Sequence, residues 1–278
     1  WLSIHLTGYL LKLGPKGRPE QSPRQKAAPS PPTSICAIHS LMLTLLNATD
    51  PDEDFPDPET ALTEPNGLLA IGGCLSPRRL VSAYQQGIFP WFNAGDPIFW
   101  WSPDPRLVLS PAEIHLSRNL RKILRKQEYK TSFDQAFEEV ICACAAPRRE
   151  SPATWITESM IEGYLALHAL GHAHSVEVWY EGHLAGGLYG VSIGRVFFGE
   201  SMFYRRSNAS KVAFTVLAQH LKRWNFALID CQIQTEHLLS LGAREIPRKE
   251  FIDQIGRHCH KNPGPFAWKN EPRETGAP

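Results

Sequence analysis

No run of eighteen apolar residues occurs in these 278 residues, so no segment reads as a membrane-spanning helix. A CxxC pair is also missing. The six cysteines (Cys36, Cys74, Cys142, Cys144, Cys231 and Cys259) are scattered, which argues against a compact zinc ribbon or disulfide framework and suits a reducing, cytoplasmic setting. Cys142 and Cys144 stand two apart on an expected helix, where their side chains diverge. No repeat at solenoid periods is visible. Nor is there a net excess of charge to hold a polyanion. The formal total is +1, and residues 1–41 carry Lys12, Lys16, Arg18, Arg24 and Lys26 against Glu20, a surplus of +4 that leaves −3 for the rest. Any nucleic-acid partner must therefore be gripped by a local patch.

What is present is organised in blocks. GPKGRPEQSPRQKAAPSPPTS is too rich in proline and polar residues to bury a core. Residues 1–41 are accordingly expected to be a disordered extension, with Met42 as the natural start; the preceding WLSIHLTGYLLKL, broken by His5 and Lys12, makes a poor signal peptide. Residues 42–106 read as a small, loop-rich domain. Ser76 and Pro77 open a helix that Gly87 closes, and GIFPWFNAGDPIFWWSPDPR crowds Phe89, Trp91, Phe92, Phe99, Trp100 and Trp101 among turn residues. Residues 107–266 alternate helix and strand signals, with an antiparallel meander followed by helix, strand and helix. The fold class implied is α+β, a mixed sheet covered by helices, with 267–278 as a flexible tail.

Four constellations could carry chemistry. In FALIDCQIQ, period-two alternation puts Phe226, Leu228, Asp230, Gln232 and Gln234 on one strand face, which turns polar halfway along. Such a face either shields a satisfied network or presents reactive groups at the strand's end. The helix expected over 116–127 places Arg118, Arg121, Lys122, Arg125 and Lys126 on one side and Leu116, Leu120, Ile123 and Leu124 on the other. Five like charges on one stripe suit an anion or nucleic acid as well as a solvated surface. HALGHAH offers His168, His172 and His174, with Glu177 on the opposite strand face; capping and packing explain these better than a metal. In FFGESMFYRRSNASK, Glu200 lies between Phe197, Phe198 and Phe203, a costly place for a carboxylate. The helix that follows is expected to be capped by Ser207 or Asn208. No glycine-rich pyrophosphate loop precedes it, which disfavours an acyl-CoA donor.

In order along the chain, NGLLAIGG, GIFPWF, WWSPDPR, TWIT, HSVEVW, GGLYG, FFGESMF, NASK, LIDCQ and SLGAREIPR resemble leucyl/phenylalanyl-tRNA–protein transferases, from about Phe55 to Phe251. The resemblance implies a small N-terminal domain and a GNAT-like C-terminal domain. The implied activity is transfer of leucine or phenylalanine from aminoacyl-tRNA to the N-terminal Arg or Lys of a protein, creating an N-end-rule degradation signal with no cofactor and no metal. Asp230 and Gln232 match the family's catalytic pair, Asp230 acting as a base or as an orienter. Glu200 matches the group that recognises the acceptor's cationic residue, and Trp91 and Trp155 match the aromatics around the terminal adenosine of the tRNA. Leu188, Phe197, Leu221 and Ile229 align with an apolar donor pocket open to leucine, phenylalanine and methionine, and the 118–126 stripe would grip the acceptor stem. A monomer is the implied state. Departures are Cys74 where aspartate is usual, Tyr204 for serine close to Glu200, and Leu217 and Leu221 for aromatics. Two rival readings are a small-molecule acetyltransferase and a non-catalytic module that binds aminoacyl-tRNA or protein N-termini.

Overall fold

The computed structural model describes residues 43–147, 154–264 and 267–268. The expected extension over 1–41, the start at Met42 and all of the expected tail beyond Trp268 lie outside the described residues.

Four short strands form a first sheet in the order β1-β2-β4-β3: β1 (Thr44–Leu46), β2 (Leu68–Gly72), β3 (Phe89–Pro90) and β4 (Phe99–Trp101). Helix α1 (Pro77–Gln85) joins β2 to β3. Ser76 caps it by accepting from Arg79 N–H, and Gly87 closes it with φ +76, a conformation open to glycine without a Cβ penalty. The fully buried Arg79 ties this helix back to the preceding loop through the carbonyls of Asn47, Asp50 and Glu53.

The second sheet has seven strands in the order β11-β5-β10-β9-β8-β7-β6, with ranges β5 (Arg106–Leu109), β6 (Lys130–Phe133), β7 (Ala173–Tyr180), β8 (His183–Ile193), β9 (Val196–Tyr204), β10 (Leu228–Gln232) and β11 (Arg244–Ile246). Only the β9/β10 pairing is parallel. The sheet is therefore mixed, as the element order predicts, and helices cover it. On one face α5 (Ala209–Arg223), which contributes Leu221, and α2 (Arg118–Lys126) pack over Leu188, Phe197 and Ile229, and the short α6 (Glu236–Ser240) adds Leu238 to the same cluster. On the other, α3 (Phe137–Ala145), α4 (Glu158–Ala169) and α1 pack over Tyr189, Val191, Phe198 and Leu228, in a core continuous with Trp100 and Trp101 of the first sheet. Close approach explains both glycines in β8: a Cβ on Gly186 would lie 2.6 Å from the Cβ of Ala209 in α5, and one on Gly187 would lie 2.8 Å from the Val176 carbonyl oxygen of β7.

Three expectations need correction. Ser132 and Phe133, which the helical pattern of SFDQAFEEVICACAA would include, belong to strand β6 instead, because Ser132 donates to the buried Glu177 and accepts from Trp179 Nε1 across the β6/β7 pair. Alternation in β10 stops at Asp230. Its Oδ1 accepts the Gln232 backbone N–H at 2.9 Å, the register against β5 shifts there, and Gln232 takes φ +61. Asn208 holds the cap position of α5 with φ +68, but its side chain makes no capping bond.

Candidate active site

The polar half of β10 joins side chains of β5, β9, α1 and α4 in a fully buried network. Asp230 receives Arg106 from β5 in a bidentate pair, Nε to Oδ1 at 2.8 Å and Nη2 to Oδ2 at 2.7 Å. The guanidinium lies between two aromatic rings, 4.7 Å from the centroid of Phe89 and 4.6 Å from that of Phe251, the latter on α7 (Arg248–His258). A buried ion pair repays its desolvation only when its geometry and remaining donors are well served. Here the bidentate fork and the stacked rings supply part of that support, while Arg106 Nη1 is left buried without an acceptor among the described residues.

Glu200 sits one strand away with no exposure to solvent. Tyr84 of α1 donates to its Oε1 at 2.6 Å, Tyr164 of α4 donates to Oε2 at 2.8 Å, and Gln232 Nε2 donates to Oε1 at 3.2 Å. The two tyrosine hydroxyls touch at 2.5 Å. Burial pushes the Glu200 carboxyl up to about 7; hydrogen bonds from the tyrosines hold it back, and the charge of Asp230 pushes with burial. Burial first, and then the Glu200 charge, drive the hydroxyls of Tyr84, Tyr164 and Tyr189 well above the ordinary tyrosine range, so they remain donors.

Backbone pairing between β9 and β10 covers only Val196–Phe198 against Leu228–Asp230. Beyond it the strands are joined by side chains, Gln232 to Glu200. At that seam the Gln232 Oε1 is buried and accepts no hydrogen bond among the described residues. An unpaired buried acceptor is costly, and it is the kind of group a reacting N–H can satisfy.

The other predicted residues fall into separate places. Leu188, Phe197, Leu221 and Ile229 share one apolar cluster, on the sheet face opposite Asp230 and Glu200. Leu217 is buried in the same cluster. Trp91 and Trp155, 8% and 4% exposed, lie in the core on the Glu200 side. Each has a buried indole N–H without an acceptor among the described residues, and Trp91 packs edge-on against Trp101 at 5.6 Å. Helix α2 presents Arg118, Arg121, Lys122, Arg125 and Lys126 to solvent and buries Leu120, with Ser117 capping it; Lys126 finds Glu128 at 3.1 Å. His174 contacts Asp134 and the Gly171 carbonyl, His168 contacts the Ala173 carbonyl, and the described residues contain no group of three metal-ligating side chains. Tyr204, placed near Glu200 by sequence, stands at the exposed end of β9. Four residues from a fully buried carboxylate, it is roughly 13 Å along the strand. Cys74 sits at the start of α1 with Sγ 3.5 Å from Ser76 Oγ.

Sequence reasoning missed Arg106, Tyr84 and Tyr164. The two tyrosines lie on the apolar stripes of α1 and α4, where a phenol needs a polar partner, but nothing in the sequence names that partner. Arg106 follows a proline-rich turn and reads as a boundary residue until its strand is paired with β10.

Residues 108–256 match the leucyl/phenylalanyl-tRNA protein transferase family, and residues 73–104 match that family's N-terminal domain. A leucyl/phenylalanyl-tRNA–protein transferase of Nitrosospira multiformis is 63% identical over 73% of this chain and 88% of its own. Transferases of the same name from Pseudomonas syringae and Methylococcus capsulatus are 59% and 52% identical, covering 78% and 83% of this chain and 94% and 98% of theirs. A GCN5-related N-acetyltransferase from Kribbella flavida overlaps 59% of this chain and 58% of its own at 11% identity with a TM-score of 0.30, too little to bear on function.

Proposed function

Because this chain belongs to the leucyl/phenylalanyl-tRNA protein transferase family, we propose that it moves leucine, phenylalanine or methionine from the 3′ end of a charged tRNA to proteins that begin with Arg or Lys. The product carries an N-end-rule degradation signal, and charged tRNA places the work in the cytoplasm. The α-amine nitrogen attacks the ester carbonyl. A C–N bond forms, the C–O bond to the ribose breaks, and the amine proton ends on the ribose oxygen. The ester is already activated and a peptide α-amine has a pKa of roughly 8, so positioning and proton handling supply the rate.

The observation that carries this reading is the unpartnered Oε1 of Gln232 at the seam between β9 and β10. It is the group free to accept an N–H of the attacking amine. Asp230 has both oxygens engaged by Arg106 and by the Gln232 backbone N–H, which favours it as the orienter of Gln232. Glu200, held near 7 by burial, is ionised by an arriving guanidinium or ammonium, and so recognises the acceptor's first residue once a tyrosine donor yields its place. The donor side chain passes through the seam towards Leu188, Phe197, Leu221 and Ile229, an apolar cluster without polar hooks. Trp91 and Trp155 hold the terminal adenosine, α2 holds the acceptor stem, and one monomer suffices for the reaction.

The test is transfer of labelled phenylalanine and leucine from charged tRNA to a protein beginning with Arg, with an Asp-initiated protein and acetyl-CoA as controls. Label on the Arg-initiated protein alone is the expected result. Gln232→Leu should cut that transfer by roughly 10²–10⁴-fold while charged tRNA still binds. Binding with no transfer by the unmodified protein would make it a recognition module, and unchanged transfer by the variant would remove Gln232 from the chemistry.

A further inference from the structure

Between the basic helix and the buried network lies a surface to which the family resemblance gives no role. It is the end of β9 and the turn that follows, Tyr204 to Ser207. Tyr204 is 67% exposed, and its hydroxyl has no hydrogen-bond partner among the described residues. Arg206 is also exposed. Its guanidinium lies 3.4 Å over the Tyr180 ring, and its N–H donors meet no acceptor among the described residues. Arg205 differs, since its Nη1 is spent on the Leu184 carbonyl.

This turn is fastened to the end of α2. Tyr129, three residues beyond Lys126, donates to the Ser207 carbonyl at 2.9 Å and packs edge-on against Tyr180 at 6.0 Å, the same ring that carries Arg206. The exposed cations Arg125 and Lys126 thus continue into Arg206 and Tyr204, and Glu128 is taken up by Lys126. From Tyr204 the strand leads back four residues, roughly 13 Å, to Glu200. A nucleic acid whose duplex stem rests on α2 and whose single-stranded 3′ end reaches the seam has to cross this turn.

We propose that the Tyr204–Arg206 turn is a contact site for the unpaired 3′ tail of the tRNA, Tyr204 stacking on a base and Arg206 binding a phosphate. The inference rests on the reading of α2 as the stem-binding helix. Tyr180 holds the planar guanidinium in place before the ligand arrives, so its fork meets a phosphate with little ordering cost. An exposed phenol ring offers a stacking face that tolerates any base.

The experiment measures binding of uncharged tRNA to the full chain across a salt series, with thermal midpoints recorded for every variant. Arg206→Met should lower the slope of log K against log salt by about 0.7. Tyr204→Ala should leave the slope unchanged and weaken binding about fivefold or more, with Tyr204→Phe restoring it. A tRNA lacking its unpaired 3′ tail should bind wild type and Tyr204→Ala alike. The inference is overturned if both variants bind within twofold of wild type at an unchanged slope, or if affinity falls only together with the thermal midpoint. The double variant Arg121→Met/Arg125→Met separates the premise: an unchanged slope there means that α2 does not hold the stem, whatever the turn does.

Discussion

Glu200 sets a pH signature that can be read without any substrate. In the unfolded chain its carboxyl titrates near 4.5, whereas burial among Tyr84, Tyr164 and Gln232 raises it to about 7 in the fold. Between those values the native state keeps a proton that the unfolded state has lost, so stability falls as pH rises across that window, by up to about 3 kcal/mol. Glu200→Gln has no such loss. Urea titrations of both proteins at pH 4.5 and pH 7.5 should show the difference between them moving by about that amount in favour of the variant at the higher pH; a constant difference would mean that Glu200 is ionised throughout. The Arg106–Asp230 pair gives a second test. Removing one partner strands a buried charge, so Arg106→Met alone should destabilise by about 3–5 kcal/mol, and adding Asp230→Asn should recover a large part of it in the same titration.

At the scale of elements, the helices and the mixed sheet were readable because their signals are local. Ser76-Pro77 opens the helix that its spacing announces, and the basic stripe of α2 faces solvent as its periodicity requires. Asp230, Gln232 and Glu200 could be singled out for a related reason, since each is a polar residue in a run of apolar ones. What could not be read was pairing. The shift at Gln232 depends on a hydrogen bond between two neighbouring residues of β10, strand β6 depends on Ser132 finding Glu177, and Arg106 has no visible role until β5 lies beside β10. The glycine pair of β8 is an intermediate case: its presence is plain in the sequence, but its causes, the approach of α5 to Gly186 and of the Val176 carbonyl to Gly187, are not. Gly186→Ala should cost about 1–3 kcal/mol because the new methyl meets Ala209 at 2.6 Å. Ala209→Gly in the same chain should recover part of that cost in a double-mutant cycle, and additive losses would place the strain elsewhere.

Across the whole molecule, the two sheets share one apolar core, in which Trp100 and Trp101 of the first are continuous with Phe198 and Leu228 of the second. Arg248 of α7 adds to the junction by donating from Nη1 to the Ser102 carbonyl at 2.7 Å. The proposed active centre draws Tyr84, Arg106, Tyr164, Glu200, Asp230 and Phe251 into this one body, so no half of the chain contains the whole of that network. The distance in sequence between Arg106 and Asp230, 124 residues, has a consequence during synthesis. A ribosome adding about 5–20 residues per second leaves Arg106 waiting roughly 6–25 s for the carboxylate that neutralises it. Until then the strand that will sit beside β10 has an open edge and its guanidinium has no counter-ion, so the nascent chain is exposed to aggregation and to chaperones for the whole of that interval.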